Sequence, residues 1–213
     1  MAALKRQLLG AVAASRRPGA DPAASRSAVL EAARALEASG AGPLAPVSGR
    51  WSLVYSTNDD AGSPAFGPLA AVIDRDALQR ASNALYRAFF AFAPALAGSA
   101  ETGARGVANE QVVDLAAGRV ANNVDVDLPW PLGGARVAVR GEVEARDEEG
   151  REVVVTFTGW ELGPRPGAAG GAPRLALPLP RPRGVLRNTF CDDELRLSRG
   201  GRGGLFVTTR LRG

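Results

Sequence analysis

Between residues 50 and 57, apolar and polar side chains alternate with a period of two: Trp51, Leu53 and Tyr55 stand against Arg50, Ser52 and Ser56. That period belongs to a strand with one face buried. It returns downstream, where Val120, Val124, Val126 and Leu128 oppose Arg119, Asn123, Asp125 and Asp127, and where Val137, Val139, Val143 and Ala145 oppose Arg136, Arg140, Glu142 and Glu144. Val153, Val155 and Phe157 follow the turn Asp147-Glu148-Glu149-Gly150, and a shorter stretch covers Gln111–Leu115. A last hairpin joins Glu194–Arg199 to Leu205–Leu211 through Gly200, Gly201, Gly203 and Gly204. These are seven strands, with an eighth near Leu175–Leu177. Short spacings imply antiparallel pairing, and about eight twisted strands close into a barrel, which removes exposed edges. The runs are shorter than the roughly 9–11 residues of a membrane strand, which favours an apolar interior and a charged exterior in water.

Elsewhere the period is helical. Leu4, Leu8, Val12 and Ala13 mark one helix, ended by Arg16-Arg17-Pro18-Gly19. Val29, Leu30, Ala33 and Leu36 mark a second, with Ser25 or Ser27 as its cap and Gly40 past its end. Residues 1–46 are thus expected to be a helical segment packing on a barrel of residues 47–213. Residues 74–97 read as a helical insertion, carrying Leu78, Leu85, Phe89, Phe92 and Leu96 on one side. The Pro- and Gly-rich stretch 163–184 reads as a loop.

Composition removes several chemistries. The chain has no histidine, so catalytic triads and imidazole metal sites are absent. Its one cysteine, Cys191, makes no internal disulfide or thiolate cluster and has no imidazole to activate it. No metal, cofactor or catalytic residue is called for. No apolar run reaches the roughly 20 residues of a spanning helix. The net charge of +4 invites a nucleic-acid partner, but the arginines alternate with acids, as in Arg140, Glu142, Glu144 and Arg146, and form no stripe. No nucleic-acid partner is expected. Residues 1–20 hold Lys5, Arg6, Arg16 and Arg17 and no acid, which is also how an organelle transit peptide reads.

Two stretches are more specific. Gly49-Arg50-Trp51 at the start of the first strand resembles the Gly-x-Trp of the lipocalins, where the tryptophan plugs the closed end of the barrel. Asn188-Thr189-Phe190-Cys191-Asp192-Asp193-Glu194-Leu195-Arg196-Leu197-Ser198-Arg199-Gly200, followed by Gly204-Leu205-Phe206-Val207, resembles the end of the plastid lipid-associated proteins, the fibrillin family. Its members carry Thr-Tyr-Leu, three acids and Leu-Arg-Ile-Ser-Arg-Gly, then a Leu-Phe-Val strand. Leu4-Lys5-Arg6-Gln7-Leu8-Leu9 is similar to the start of that family's first helix, and Leu175-Ala176-Leu177-Pro178-Leu179-Pro180 to its Leu-Pro segment. The chain departs from the pattern at Cys191, where leucine is usual, and in the length of the helix 74–97.

The resemblance implies a lipocalin-like barrel in chloroplasts or other plastids, peripheral to plastoglobules or thylakoids. It implies binding or organising of apolar isoprenoid lipids, such as a carotenoid or a prenylquinone, without catalysis. It makes Leu4–Val12 the domain's first helix, with the targeting segment missing from this sequence. The candidate ligand-lining residues are Trp51, Leu53, Tyr55, Phe89, Phe92, Phe157, Phe190 and Phe206. The motif residues are Gly49, Trp51, Asp192, Asp193, Arg196, Arg199 and Gly200. Trp51 is either a cavity wall or an end plug, and Arg196 or Arg210 is expected across its ring. Asp192, Asp193 and Glu194 are either turn residues, with an aspartate capping free backbone N–H groups or pairing with Arg196 and Arg199, or the acid–base group of a barrel isomerase or cyclase. The helix 74–97 is expected to touch the apolar ligand or a lipid surface, or else to pack outside the barrel. A further alternative is a protein-interaction scaffold whose barrel is filled by its own side chains.

Overall fold

An aspartate before a proline is held out of the helical region and presents its carboxylate to the free N–H groups of the turn that follows. Asp21-Pro22 does this, with the Asp21 side chain accepting from the Ala23 N–H at 3.0 Å. The second helix therefore starts earlier than its serines suggest: Asp21 is the cap, and Ser25 and Ser27 lie inside. In the computed structural model the described residues are 1–40, 46–57, 107–127, 134–165, 174–179, 181, 183–201 and 203–212. Helix α1 spans Ala2–Ser15 and α2 spans Pro22–Ala38. The expected helix over 74–97 lies outside the described residues.

Nine strands follow: β1 Gly49–Ser56, β2 Val107–Asp114, β3 Arg119–Asp127, β4 Gly134–Ala145, β5 Glu152–Pro164, β6 Leu175–Pro178, β7 Arg183–Cys191, β8 Leu195–Gly200 and β9 Leu205–Arg210. All pairings are antiparallel. Strands β1-β2-β3-β4-β5-β7-β8-β9 close into a ring of 8, since β4 pairs with β5 and β9 with β1. The expected antiparallel fold of about eight strands with N-terminal helices is observed, with two differences in detail. The eighth member of the ring is β7, not the Leu175 stretch, and β7 begins inside the region read as a loop. Its alternation is hidden by Gly184 and by an extra residue near Thr189. Strand β6 is a ninth strand. It pairs with the second half of β5, Gly159–Leu162, while β7 pairs with the first half, Glu152–Thr156.

Three strands of the ring carry one extra residue each: Val54 in β1, Thr158 in β5 and Thr189 in β7. A bulge moves every later side chain to the other face. On β1, Trp51 and Leu53 face inward opposite Arg210 and Thr208, but past the bulge Tyr55 stands opposite Val207 and faces outward. On β7, Leu186 and Asn188 face inward, whereas Phe190 pairs with Leu197 on the outer face.

The two faces carry two cores. Outside, Val54, Phe190, Leu195, Leu197, Leu205 and Val207 pack against Leu8 and Val12 of α1 and Val29, Ala32, Ala33 and Leu36 of α2, with Tyr55 at the margin. Inside, Val47, Trp51, Val113, Val120, Val143, Val153, Val155 and Cys191 pack together, flanked by Leu115, Phe157 and Leu186. Strands β4 and β5 are 12 and 13 residues long, longer than their alternation suggests. Length therefore does not argue against a membrane barrel; the outer face does. Across β3, β4 and β5 it carries the ion pairs Arg136–Asp125 at 2.6 Å and Arg140–Glu161 at 2.9 Å, where a membrane barrel presents an apolar band. No described helix is long and apolar enough to cross a membrane.

A forked ion pair ties α2 to the ring. Two of the Arg199 nitrogens, Nε and Nη2, donate to Glu37 at 2.9 Å, and the Thr189 hydroxyl donates to it at 2.7 Å. Burial pushes the Glu37 carboxyl up, but these donors outweigh it and hold its pKa below the ordinary 4.5. A carboxylate depressed in the folded state adds stability above its unfolded pKa and loses it as pH falls through the folded value. Urea unfolding at pH 7 and pH 3 is therefore expected to show a smaller loss of stability on acidification for Glu37→Gln than for the native chain. An equal loss in both would show that Glu37 does not hold the helix.

Candidate functional site

The inner end of the ring is built on Gly49. Its φ is +138°, a conformation other residues rarely adopt, and an added Cβ would sit 2.5 Å from Nη1 of Arg210. The missing side chain lets the Arg210 guanidinium lie over the Trp51 ring, 4.1 Å from its centre. Arg196 lies over the same ring at 4.7 Å. Both expected cation–π partners are thus present. Trp51 is 0% exposed, and its indole N–H donates to the Val47 carbonyl at 2.9 Å. Arg210 also donates to the carbonyls of Ser48 at 3.2 Å and Pro46 at 2.7 Å, tying down the segment that leads into β1. Gly49→Ala is expected to displace Arg210 and strain the backbone, at a cost of about 2 kcal/mol or more. The melting temperature should fall by about 4–8 °C; an unchanged value would show that the close approach is not required.

A polar chain crosses the interior beside Trp51. Arg196 Nε donates to Thr208 Oγ1 at 3.2 Å, its Nη2 donates to Gln111 Oε1, and Gln111 Nε2 donates to Asn122 Oδ1 at 2.9 Å. This links β9, β8, β2 and β3 across the ring. Arg196 is 4% exposed and among the described residues faces no carboxylate; burial, with Arg210 nearby, lowers its pKa to about 10. Where β1 and β2 diverge past Trp51, Asn109 replaces the ladder. Its Nδ2 donates to the Leu53 carbonyl at 3.2 Å, and its Oδ1 accepts from the Leu53 N–H at 2.8 Å. Gln111, Asn109 and Asn122 were not among the sequence candidates. The signal was there for Gln111 and Asn122, since each puts an amide on the inward face of a valine-rich strand.

The other candidates divide between the faces. Leu53 and Phe206 are half-buried on the inner face, with Phe206 3.4 Å from where a Gly200 Cβ would be. Phe157 borders the inner core. Tyr55 and Phe190 belong with the helices, and Phe89 and Phe92 lie outside the described residues. The acid triplet is the turn between β7 and β8. Asp192 Oδ1 accepts from the N–H groups of Glu194 at 2.9 Å and Leu195 at 2.8 Å, while Lys5 of α1 bonds Asp192 at 2.8 Å and Glu194 at 2.5 Å. The expected capping by an aspartate is therefore present, and the charged partners are Lys5 and, 3.9 Å from Glu194, Arg212, not Arg196 or Arg199: alternation on β8 turns Arg196 inward to Trp51 and Arg199 outward to Glu37. Burial pushes the Asp192 carboxyl up, but Lys5 and the turn N–H groups prevail and hold it below the ordinary range. A carboxylate so held is an anion at neutral pH and a weak base.

The inward-facing Cys191 thiol is pushed up to about 11 by burial, which keeps it protonated and unreactive. Among the described residues no three metal-ligating side chains come together. What the arrangement offers is a ring that holds a buried indole under two guanidiniums, with a mostly apolar inner wall. The PAP_fibrillin family model matches residues 65–209. No curated protein and no solved structure matches the chain.

Proposed function

Because the chain belongs to the PAP_fibrillin family of plastid lipid-associated proteins, we propose that it binds or organises an apolar isoprenoid lipid without catalysing a reaction. The family places it in the plastid; we place it there at the periphery of plastoglobules or thylakoids. The observation that carries the reading is the buried Trp51 under two guanidiniums, with apolar side chains on the inner face beyond it beside the buried Asn109, Asn188 and Ser198. Leu53, Val124, Val137 and Phe206 face inward there. An isoprenoid chain laid against such a wall gains roughly 25 cal/mol for each Å² removed from water. A carotenoid or a prenylquinone has the right chemistry, being long, apolar and uncharged.

A second reading has its own observation. The chain from Thr208 through Arg196 and Gln111 to Asn122 fills the ring beside Trp51, and the inner valines pack on one another. A ring filled in this way serves as a scaffold for protein partners. Extraction of the native protein from plastids, followed by mass spectrometry, separates the two. An isoprenoid near one per chain supports lipid binding, and a lipid-free protein supports the scaffold.

A further inference from the structure

We propose that the ring seats a long apolar ligand by a carboxylate head, with the acid on Arg196 and the tail along the inner wall. The proposal rests on the interior reading above and extends it from uncharged lipids to acids.

A guanidinium taken out of water needs an anion or a full set of acceptors. Among the described residues Arg196 has neither. It is 4% exposed, its Nε donates to Thr208 and its Nη2 to Gln111, and its Nη1 donates to no described residue. Burial brings its pKa down only to about 10, so it remains a cation at neutral pH. Arg210, over the same indole, adds a second positive charge and not a counter-ion. The Arg210 Nε is itself buried with no acceptor, while Nη1 and Nη2 donate to the Ser48 and Pro46 carbonyls.

The neighbouring polar groups supply no anion. Asn109 spends its amide on the Leu53 backbone, and Ser198 donates to Asn188, which donates to the Gly150 carbonyl. What is left over beside Trp51 is donor capacity and positive charge. A carboxylate brings one negative charge and accepts strongly from a guanidinium, which matches the open edge of Arg196.

The surroundings give the rest of the ligand. Register sets Arg196 level with Thr208, and Thr208 level with Leu53. Asn109 bonds Leu53 and pairs with Val124. The same inward row runs on through Val137 to Leu162 and Leu175, at the lip formed by β5 and β6. Val124 is 5% exposed, but Leu162 and Leu175 are 48% and 55% exposed. The row is therefore charged at Arg196, apolar from Val124 onwards and open to water at its far end. An acid with a long apolar tail fits its whole length, whereas a small anion fits only the charged end.

The test is equilibrium binding of oleic acid, methyl oleate, β-carotene and acetate to the delipidated full chain at neutral pH. Oleic acid should bind at least about tenfold more tightly than its methyl ester, the difference one hydrogen-bonded charge makes. Acetate should not displace it. Arg196→Gln should bring acid and ester to the same affinity, and Arg196→Lys should restore part of the preference. A merely structural Arg196 would move the melting temperature and leave the acid-to-ester ratio alone. If Arg196→Gln does not fold, the ratio in the native chain decides: equal affinities overturn the proposal, and so does displacement of oleic acid by acetate at equal concentration. β-Carotene keeps the proposal apart from the interior reading. Carotene and ester bound as tightly as the acid leave the apolar interior standing and defeat the seat. Acid bound where carotene is not supports the seat and defeats the carotenoid reading. A chain that binds none of them defeats both.

Discussion

Trp51→Ala is expected to destabilise the protein by about 3–5 kcal/mol, the usual cost of removing a large buried aromatic side chain and leaving a cavity. Its ring is 0% exposed and is covered by two guanidiniums. Removing it takes away the π face that Arg196 and Arg210 share and the donor to the Val47 carbonyl. Arg196, already buried without an acid among the described residues, then faces an empty space. Against a typical total of roughly 5–15 kcal/mol, the loss is large, and a chain of this size loses about 2–4 °C per kcal/mol. The melting temperature should therefore fall by about 10 °C or more in scanning calorimetry. Trp51→Phe keeps an aromatic face but not the N–H and should lose markedly less. A Trp51→Ala protein melting within about 2 °C of the native chain would mean the indole is not what closes the ring.

Removal of residues 1–20 is expected to be as damaging. Leu8 and Val12 are 0% and 2% exposed against the outer core, and each such side chain is worth about 1.5–3 kcal/mol. The truncation also removes the Lys5 contacts to Asp192 and Glu194 and the Arg16 bond to the Val54 carbonyl. It would expose part of the face formed by Leu195, Leu197, Leu205 and Val207, and exposed aliphatic sheet aggregates. The truncated chain should melt at least about 10 °C lower or scatter light on purification. A leader peptide with no structural role would give the opposite result, an unchanged melting temperature. Leu8→Asp tests the same contact within the full-length chain.

Much of this architecture was legible from local pattern. Period-two alternation located seven of the nine strands because an antiparallel strand with one wet face must alternate. The motif Gly49-Arg50-Trp51 and the run from Asn188 to Gly200 pointed to the family that residues 65–209 match. Composition bounded the chemistry, since a chain without histidine has no imidazole to offer. β7 escaped because its bulge near Thr189 breaks the period, and the same kind of shift near Val54 carried Tyr55 to the helix side. The Asp21 cap was missed because serines deeper in the helix gave a stronger capping signal than a single Asp-Pro pair.

The sequence by itself determined which residues alternate, which segments are helical and which chemistries are absent, because these follow from side chains within a few positions of one another. Only the tertiary structure decided that β5 divides between β6 and β7, that Arg196 and Arg210 share one indole, that Lys5 and not a neighbouring arginine holds the acid turn, and that Leu162 and Leu175 surface together at the lip. Each of these joins groups distant along the chain. Their meeting is set by strand register, and a single bulged residue reverses which face a side chain takes.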